Sequence, residues 1–547
     1  MRIGTSYKQH PGLADQWDAI VIGSGIGGLT AAATLSKLAG KRVLVLERHY
    51  TAGGFTHTFR RPGYEWDVGV HYIGDVSHPR AMARRMFDFI TDGQLEWADM
   101  GEVYDRIIIG DNSYDFVKGY ENFRAKLHGY FPTEKDAIDR YLAKVTTTVK
   151  KAQLYFTEKA VPHLVSSLFG GMMRRPVLKE AMRTTREVLE ELTQNQELIA
   201  VLTGQFGDYG LVPSKSSFFI HSMVVAHYFR GAAYPVGGSG RIAETILPVI
   251  ERAGGEVVTN AEVTEILIEN ERAVGVKLAD GRELRAPTVI SDAGVVNTFE
   301  RLVPTEPARA AGWGSKAVEL GHSIAHLSLY VGLKGTTEEL QQKKTNLWVY
   351  RDNRHEENFA KFEADINAPL PLVYLSFPSA KDPDFERRYP GHSIIEAITL
   401  GRYENFKAWE NTSWKKRGAE YDELKASLSE RLLDTLYKHA PATRGNVEIA
   451  ELSTPLSTRN FAAHPHGEIY GLQHTPARFE QRWLRPRTPI KGLYLSGADT
   501  VSAGVVGALM GGMICSSAVL KGNVLGQVLK HQAQTLQTKT PVPAPLG

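Results

Sequence analysis

Gly23-Ser24-Gly25-Ile26-Gly27-Gly28 stands between an apolar run, Asp18 to Ile22 (DAIVI), and a helical run, Leu29 to Leu38 (LTAAATLSKL). The first run predicts a buried strand and the second the helix that follows it. Lys41 to Glu47 (KRVLVLE) predicts a second strand of the same sheet. Strand, glycine-rich turn, helix and an acid at the second strand's end make a βαβ unit of the dinucleotide-binding kind. The glycines permit a tight turn and close approach to a pyrophosphate, whose charge meets the helix N-terminus. Gly23, Gly25 and Gly28 are thus candidate cofactor residues, and Glu47 is placed to hydrogen-bond an adenosine ribose.

The next loop, Arg48-His49-Tyr50-Thr51-Ala52-Gly53-Gly54, argues for FAD over NAD. A simple NAD domain has no need of the glycine pair Gly53-Gly54, whereas a large flavoprotein brings this loop, with Arg48, against its extended cofactor. Near the other end, Gly492 to Gly497 (GLYLSG) predicts a short parallel strand followed by Ala498-Asp499. Ser502 to Leu520 predicts a helix rich in small residues. Gly497 and Asp499 are candidates for the ribityl or pyrophosphate-linked hydroxyls. The helix N-terminus at Gly504 and Val505 is a candidate for the flavin N1/O2 edge, where it favours reduced, anionic flavin. No second GxGxxG opens another βαβ unit, so no separate nicotinamide domain is expected.

With 64 Lys plus Arg against 61 Asp plus Glu, the net charge of +3 over 547 residues gives no argument for nucleic acid. The single cysteine, Cys515, excludes an intramolecular disulfide and reads as a small buried hydrophobe. The 18 histidines show no HExxH-like spacing, so no metal is expected. The N-terminal MRIGTSYKQHPGLADQW is polar, without a hydrophobic signal region, and no window reaches the ~18 uninterrupted apolar residues of a membrane span. These features predict a cytoplasmic protein whose membrane contact, if any, is peripheral. Residues 530–547, including TKTPVPAPLG, read as a disordered tail.

Three stretches have cofactor-domain character: 15–125, 235–300 and 450–525. In the middle one, Ile242 to Ala253 predicts a helix ended by Gly254-Gly255. Glu256 to Thr259, Ala273 to Leu278 and Glu283 to Ala286 predict short strands, with a hairpin turn at Asp280-Gly281. Val258, in the first of these strands, joins the candidate cofactor residues. Pro287 interrupts the ladder before Thr288 to Ser291 re-enters the sheet. The segments between, 126–234 and 301–449, form a substrate domain threaded through the first. One is helical in pattern, for example Leu178 to Leu192. The other mixes strands (Ile324 to Val331, Leu372 to Phe377, Ser393 to Thr399) with the long polar helix Tyr421 to His439.

Taken together, the chain resembles the FAD-dependent retinol saturase, carotenoid isomerase and phytoene desaturase group, the saturases above all. The matching segments run from about Trp17 to Leu525. They include the βαβ unit, Gly69-Val70-His71-Tyr72-Ile73-Gly74, Phe206-Gly207-Asp208-Tyr209-Gly210, His227-Tyr228 and Tyr234-Pro235-Val236-Gly237-Gly238-Ser239. Phe377-Pro378-Ser379-Ala380-Lys381-Asp382-Pro383 and the closing GADTVSAGVVGALMGGMICSSAVL complete them. The resemblance implies an α/β fold: a Rossmann-like FAD-binding domain of the glutathione-reductase-like flavoprotein type with an inserted α+β substrate domain. It also implies FAD, a lipophilic unsaturated substrate and an external electron donor or acceptor.

A flavin N5 exchanges a hydride with an unactivated carbon, which no side chain can do. The protein is left to orient the alkene, stabilise charge and control protons. Candidates for proton control are His71, Tyr72, Asp208, Tyr209, His221, His227 and Tyr228. The resemblance puts the His71-Tyr72 pair near the flavin and, with Tyr209, makes up the candidate catalytic set. The alternative for the pair is structural, His71 bonding backbone and Tyr72 packing in the core. Asp208, in a loop-like GDYG, reads as a turn residue, and His221 as a satisfied core histidine. His464 and His466 belong to a loop that can face the flavin. Pro162 to Met173, followed by Arg174-Arg175, suits a segment dipping into a lipid surface, with a buried helix as the other reading. The leading function is saturation of a conjugated double bond by hydride plus proton. A flavin-dependent cis–trans isomerase, a desaturase and a non-catalytic lipid carrier are the alternatives. Retinoid, carotenoid and unsaturated fatty acyl substrates all stay open.

Overall fold

The computed structural model describes residues 2–161 and 163–530, so the tail expected over 530–547 lies, past Lys530, outside the described residues. The short apolar runs pair into a six-stranded parallel sheet in the order Thr5–Ser6, Glu256–Thr259, Val43–Leu46, Ala19–Ile22, Val289–Ser291, Leu493–Leu495. A parallel sheet is covered on both faces, which is why Ala19–Ile22 and Val43–Leu46 are apolar and buried throughout. Ala19 and Val21 face the helices Ile26–Ala39, Arg241–Glu251 and Gly504–Leu520. Ile20 and Ile22 face the hairpin sheet Val263–Glu269, Arg272–Leu278, Glu283–Arg285. The glycines set how closely these layers approach. A Cβ on Gly28 would lie 2.4 Å from the Gly23 carbonyl oxygen, and one on Gly512 would lie 2.5 Å from that of Gly27.

A second, mixed sheet of seven strands runs Val447–Ser453, Ala325–Lys334, His392–Gly401, Leu372–Ser376, Asn346–Tyr350, Val103–Ile109, Asn112–Val117. Its last two strands fall within the 15–125 stretch that the sequence assigns to the cofactor domain. They join this sheet instead because Val103–Ile109 pairs in parallel with Asn346–Tyr350. The helices Lys135–Ala160, His163–Ala181 and Phe218–His227 share an aromatic-rich core with it. The helix expected over Leu178 to Leu192 is broken: one helix ends at Ala181 and another spans Thr185–Glu190. Thr184 caps the second, its side chain taking the Glu187 N–H while the Glu187 carboxylate takes the Thr184 N–H.

The helix His163–Ala181 keeps Leu168, Phe169 and Met172 exposed, but Arg174, expected at lipid headgroups, is buried and donates to the Phe479 carbonyl. Its neighbour Arg175 remains exposed. Among the described residues no single helix is long and apolar enough to cross a membrane.

Candidate active site

One cavity of about 1310 Å³ opens at the carboxyl ends of the six parallel strands, where open α/β sheets bind ligands. Gly23, Gly25, Glu47, Arg48, Gly53, Gly54, Gly497, Asp499, Gly504 and Val505 line it, so ten of the candidate cofactor residues come together. The helices Ile26–Ala39 and Gly504–Leu520 both start at this space, at Gly25 and Ala503, and turn their positive ends toward it. Glu47 braces the loop from within. One carboxylate oxygen accepts from the Ser24 N–H (2.9 Å) and hydroxyl (2.7 Å), the other from the His49 N–H (2.7 Å). The Ser24 hydroxyl in turn accepts from the Gly53 N–H at 3.0 Å. Asp499 ties two more segments, taking the Val295 N–H at 2.9 Å and the Leu472 N–H at 3.0 Å.

Two candidates lie elsewhere. Gly28 packs beneath the loop, and Val258 is buried in mid-strand, its carbonyl accepting from the Glu47 N–H at 2.8 Å. Ala261 to Thr264, just beyond that strand, line the cavity in its place. Asp292, unremarked in the sequence, faces the glycine loop: a Cβ at Gly25 would lie 2.5 Å from its Oδ2 and one at Gly27 2.5 Å from its Oδ1. Burial pushes its carboxyl up to about 7. The buried His474 accepts from the Ala503 N–H through Nε2 (2.8 Å), fixing the start of the last helix.

Away from the cradle, one part of the cavity is an apolar and aromatic chamber walled by Trp348, Tyr374, Ile398, Leu400 and Tyr470, while charged side chains such as Arg61, Arg417, Lys425, Glu451 and Arg459 line another part. The Trp348 and Tyr374 rings lie 4.5 Å apart, and His71 meets Tyr374 edge-on at 5.3 Å. His71 lines this chamber with Nδ1 2.7 Å from Oε2 of the fully buried Glu396. Burial pulls the imidazole down to about 3 and pushes Glu396 up to about 8, so at neutral pH the ring is uncharged and the proton sits on the acid. Lys381, itself buried and lowered to about 7 by desolvation, donates to the His71 carbonyl (2.9 Å) and the Ser376 hydroxyl (2.8 Å).

Tyr72 and Tyr209 do not reach the chamber. The Tyr72 ring stacks on Tyr228 at 4.6 Å, and its hydroxyl lies between Asp105 and Asp208. Tyr209 is buried behind the wall, its hydroxyl 3.3 Å from His221 Nδ1. His221 is the core histidine expected, also paired with the Tyr141 hydroxyl at 2.8 Å. His464 lines the cavity, while His466 stacks on His322 at 4.0 Å instead. Asp208, read from sequence as a turn residue, does line the chamber. Among the described residues no group of three or more His, Cys, Asp or Glu is placed to hold a metal ion.

A cavity at a parallel sheet's carboxyl edge, cradled by glycines and two helix N-termini, fits FAD. The chain belongs to the flavin containing amine oxidoreductase family, whose model matches residues 26–520, and it is an FAD-dependent oxidoreductase. It is 37% identical over 526 residues to all-trans-retinol 13,14-reductase of Danio rerio, covering 93% of this chain and 86% of that one. It is 30% identical over 531 residues to prolycopene isomerase 1 of an Oncidium hybrid cultivar, covering 92% and 84%. Among solved structures, an oxidoreductase from Methanosarcina mazei superposes with a TM-score of 0.60 at 18% identity, over 92% of this chain and 99% of that one.

Proposed function

We propose that the protein saturates one carbon–carbon double bond of a lipophilic polyene, with a retinoid as the substrate class. The observation that carries this reading is the continuity of the cavity: the dinucleotide cradle opens directly into a chamber walled by flat aromatic and branched apolar side chains. Gly23, Gly25, Glu47, Gly53, Gly54 and Asp499 would hold FAD, which in its reduced form would supply a hydride there. Trp348 and Tyr374 offer π-faces to a conjugated chain, and Ile398 and Leu400 keep water from it. The substrate class follows the printed activity of the 37%-identical relatives.

The test is product mass. Protein reduced anaerobically with dithionite is given all-trans-retinol, a cis-carotenoid or a polyunsaturated fatty acid in detergent. A retinol product heavier by two hydrogens is expected. An unchanged mass with a shifted retention time would make the protein an isomerase, as the Oncidium relative is named, and no product from any of the three would overturn the reading.

Such a substrate has to be drawn from lipid, and the helix His163–Ala181 suits peripheral contact, with Leu168 and Met172 each 69% exposed and Phe169 51%. Leu168→Ser with Phe169→Ser is expected to lower liposome co-flotation about 10-fold or more, because burying each such side chain is worth roughly 1.5–3 kcal/mol. Unchanged flotation would remove the membrane role.

A further inference from the structure

Hydride transfer to an alkene leaves a carbon that must take a proton, so saturation needs an acid in the chamber. We infer that Asp208 is this proton donor and that Asp105, through Tyr72, keeps it protonated; the inference rests on the saturase reading above. Asp208 sits in the short turn Phe206–Asp208 and lines the chamber. The turn is anchored toward the cofactor side by the Tyr470 hydroxyl, which donates to the Gly207 carbonyl at 3.1 Å. Two residues on from Tyr470, the Leu472 N–H is held by Asp499 of the cradle.

The geometry assigns the proton. Tyr72 Oη lies 2.8 Å from Asp105 Oδ2 and 3.1 Å from Asp208 Oδ2. A phenol has one proton to give, so it donates to one carboxylate and accepts from the other. Asp105 is equipped for the charge: Gln205 donates to it at 2.7 Å and Asn346 at 2.9 Å. Burial raises Asp105 as well, but those two amides and Tyr72 pull against it. Asp208 has no such amides and is left as the acid. Burial, with Asp105 as the neighbouring like charge, pushes it up to about 8. Tyr228 also bonds to it, and Tyr104, Tyr209, Tyr350, Tyr374 and Tyr470 lie within electrostatic reach, all pushed upward by burial and uncharged at neutral pH. Lys381 faces the pair from the Asp105 side and, lowered to about 7 by burial, is a cation only on the acid side of that value.

In the step, the Asp208 O–H bond breaks and a C–H bond forms at the carbon next to the one that received the hydride. The hydride brings the two electrons, which an external two-electron reductant, dithionite in the test, has loaded beforehand. The carboxylate then regains a proton from water at the open end of the cavity.

The experiment is anaerobic single turnover of the FAD-loaded, dithionite-reduced protein with all-trans-retinol, following flavin reoxidation from pH 6 to 9.5. Asp208→Asn is expected to slow reoxidation about 100-fold or more with the flavin spectrum and retinol affinity kept, the usual worth of a positioned acid. Asp208→Glu should regain part of the rate. The wild-type rate should fall above about pH 8. Asp105→Asn removes the like charge, so the break should move to lower pH, a shift that a merely structural role would not produce. Asp208→Asn within threefold of wild type, or an unmoved break in Asp105→Asn, would overturn the assignment. So would His71→Gln abolishing both rate and break, which would pass the role to His71. Should Asp208→Asn not bind flavin, the Asp105→Asn profile decides. Failure of the wild type to add two hydrogens sinks the saturase reading instead, and the two failures are thereby told apart.

Discussion

Glu47→Ala is expected to purify without flavin. The carboxylate is 8% exposed and spends its two oxygens on the Ser24 N–H, the Ser24 hydroxyl and the His49 N–H. Alanine leaves those donors unpaired in the wall of the cradle, at roughly 1–3 kcal/mol each for buried groups. It also frees the Ser24 hydroxyl that fixes the Gly53 N–H, so the glycine loop and the second glycine pair lose their common anchor. A loss of about 3–6 kcal/mol in the cradle's preorganised form corresponds to FAD binding weaker by roughly 100-fold or more. Flavin-fluorescence titration of the apo-protein measures it. Asp136→Ala, whose carboxylate is 85% exposed on the helix Lys135–Ala160 away from the cavity, serves as the comparison and should bind as wild type. Equal affinities in the two variants would show that Glu47 does not brace the cradle.

The cofactor side of this site was legible because it is local. Strand, glycine turn, helix and acid lie within about thirty residues of one another, and backbone constraint dictates their identity. The same holds for Gly497, Asp499 and Gly504, which follow a readable strand. It does not hold for Val258, because a strand residue can be counted to the edge of a sheet, yet the turn beyond it decides which atoms face the ligand. Asp292 ends its strand just as Glu47 does, in VISDAG, and the position after an apolar run at a sheet's carboxyl edge was the signal that could have found it. The substrate chamber was far less legible. Tyr72, Asp105 and Asp208 meet across 33 and 136 residues of sequence, and the parallel pairing of Val103–Ile109 with Asn346–Tyr350 sets Asp105 beside its partner Asn346. Asp208 looked like a turn residue because it is one; only the tertiary neighbours make it an acid. Glu396, alone in the apolar run SIIEAITL, did carry a sequence signal, since a lone charge in a central strand needs a partner.

Thermal stability of the FAD-saturated protein is expected to climb from pH 4.5 to about 6.5 and to stay nearly level from there to pH 8. On the acid side, burial pulls His57, His71, His221, His227, His326 and His355 down to about 3 to 4, and His474 well below its usual value. These rings stay neutral in the fold but take protons once unfolded. Their stabilisation is therefore full above the unfolded value of about 6.5 and drains away as pH falls toward 4. Asp67, Asp208, Asp292 and Glu396 have the opposite sign. Burial raises them to about 7, 8, 7 and 8, so their contribution is present below the unfolded carboxylate range and is lost as pH rises through 7 to 8. Between 5 and 6.5 the histidines outweigh the carboxylates, and stability climbs with pH. Above 6.5 the histidines add progressively less, and the four carboxylates pull the slope down. Lys381, lowered to about 7 by burial, and Lys159, lowered well below its usual value, shed their protons in the fold before they do when unfolded and so offset most of that pull. Each group is worth about 1.4 kcal/mol per pH unit, so the acid limb should amount to a few kcal/mol per unit while the alkaline side stays nearly level. Melting temperatures from pH 4.5 to 8 at fixed ionic strength give the profile. A maximum at pH 5 or below would mean that the buried imidazoles are protonated in the fold. His71 would then be a cation beside an ionised Glu396, and the chamber would hold two acids competing for the role given to Asp208.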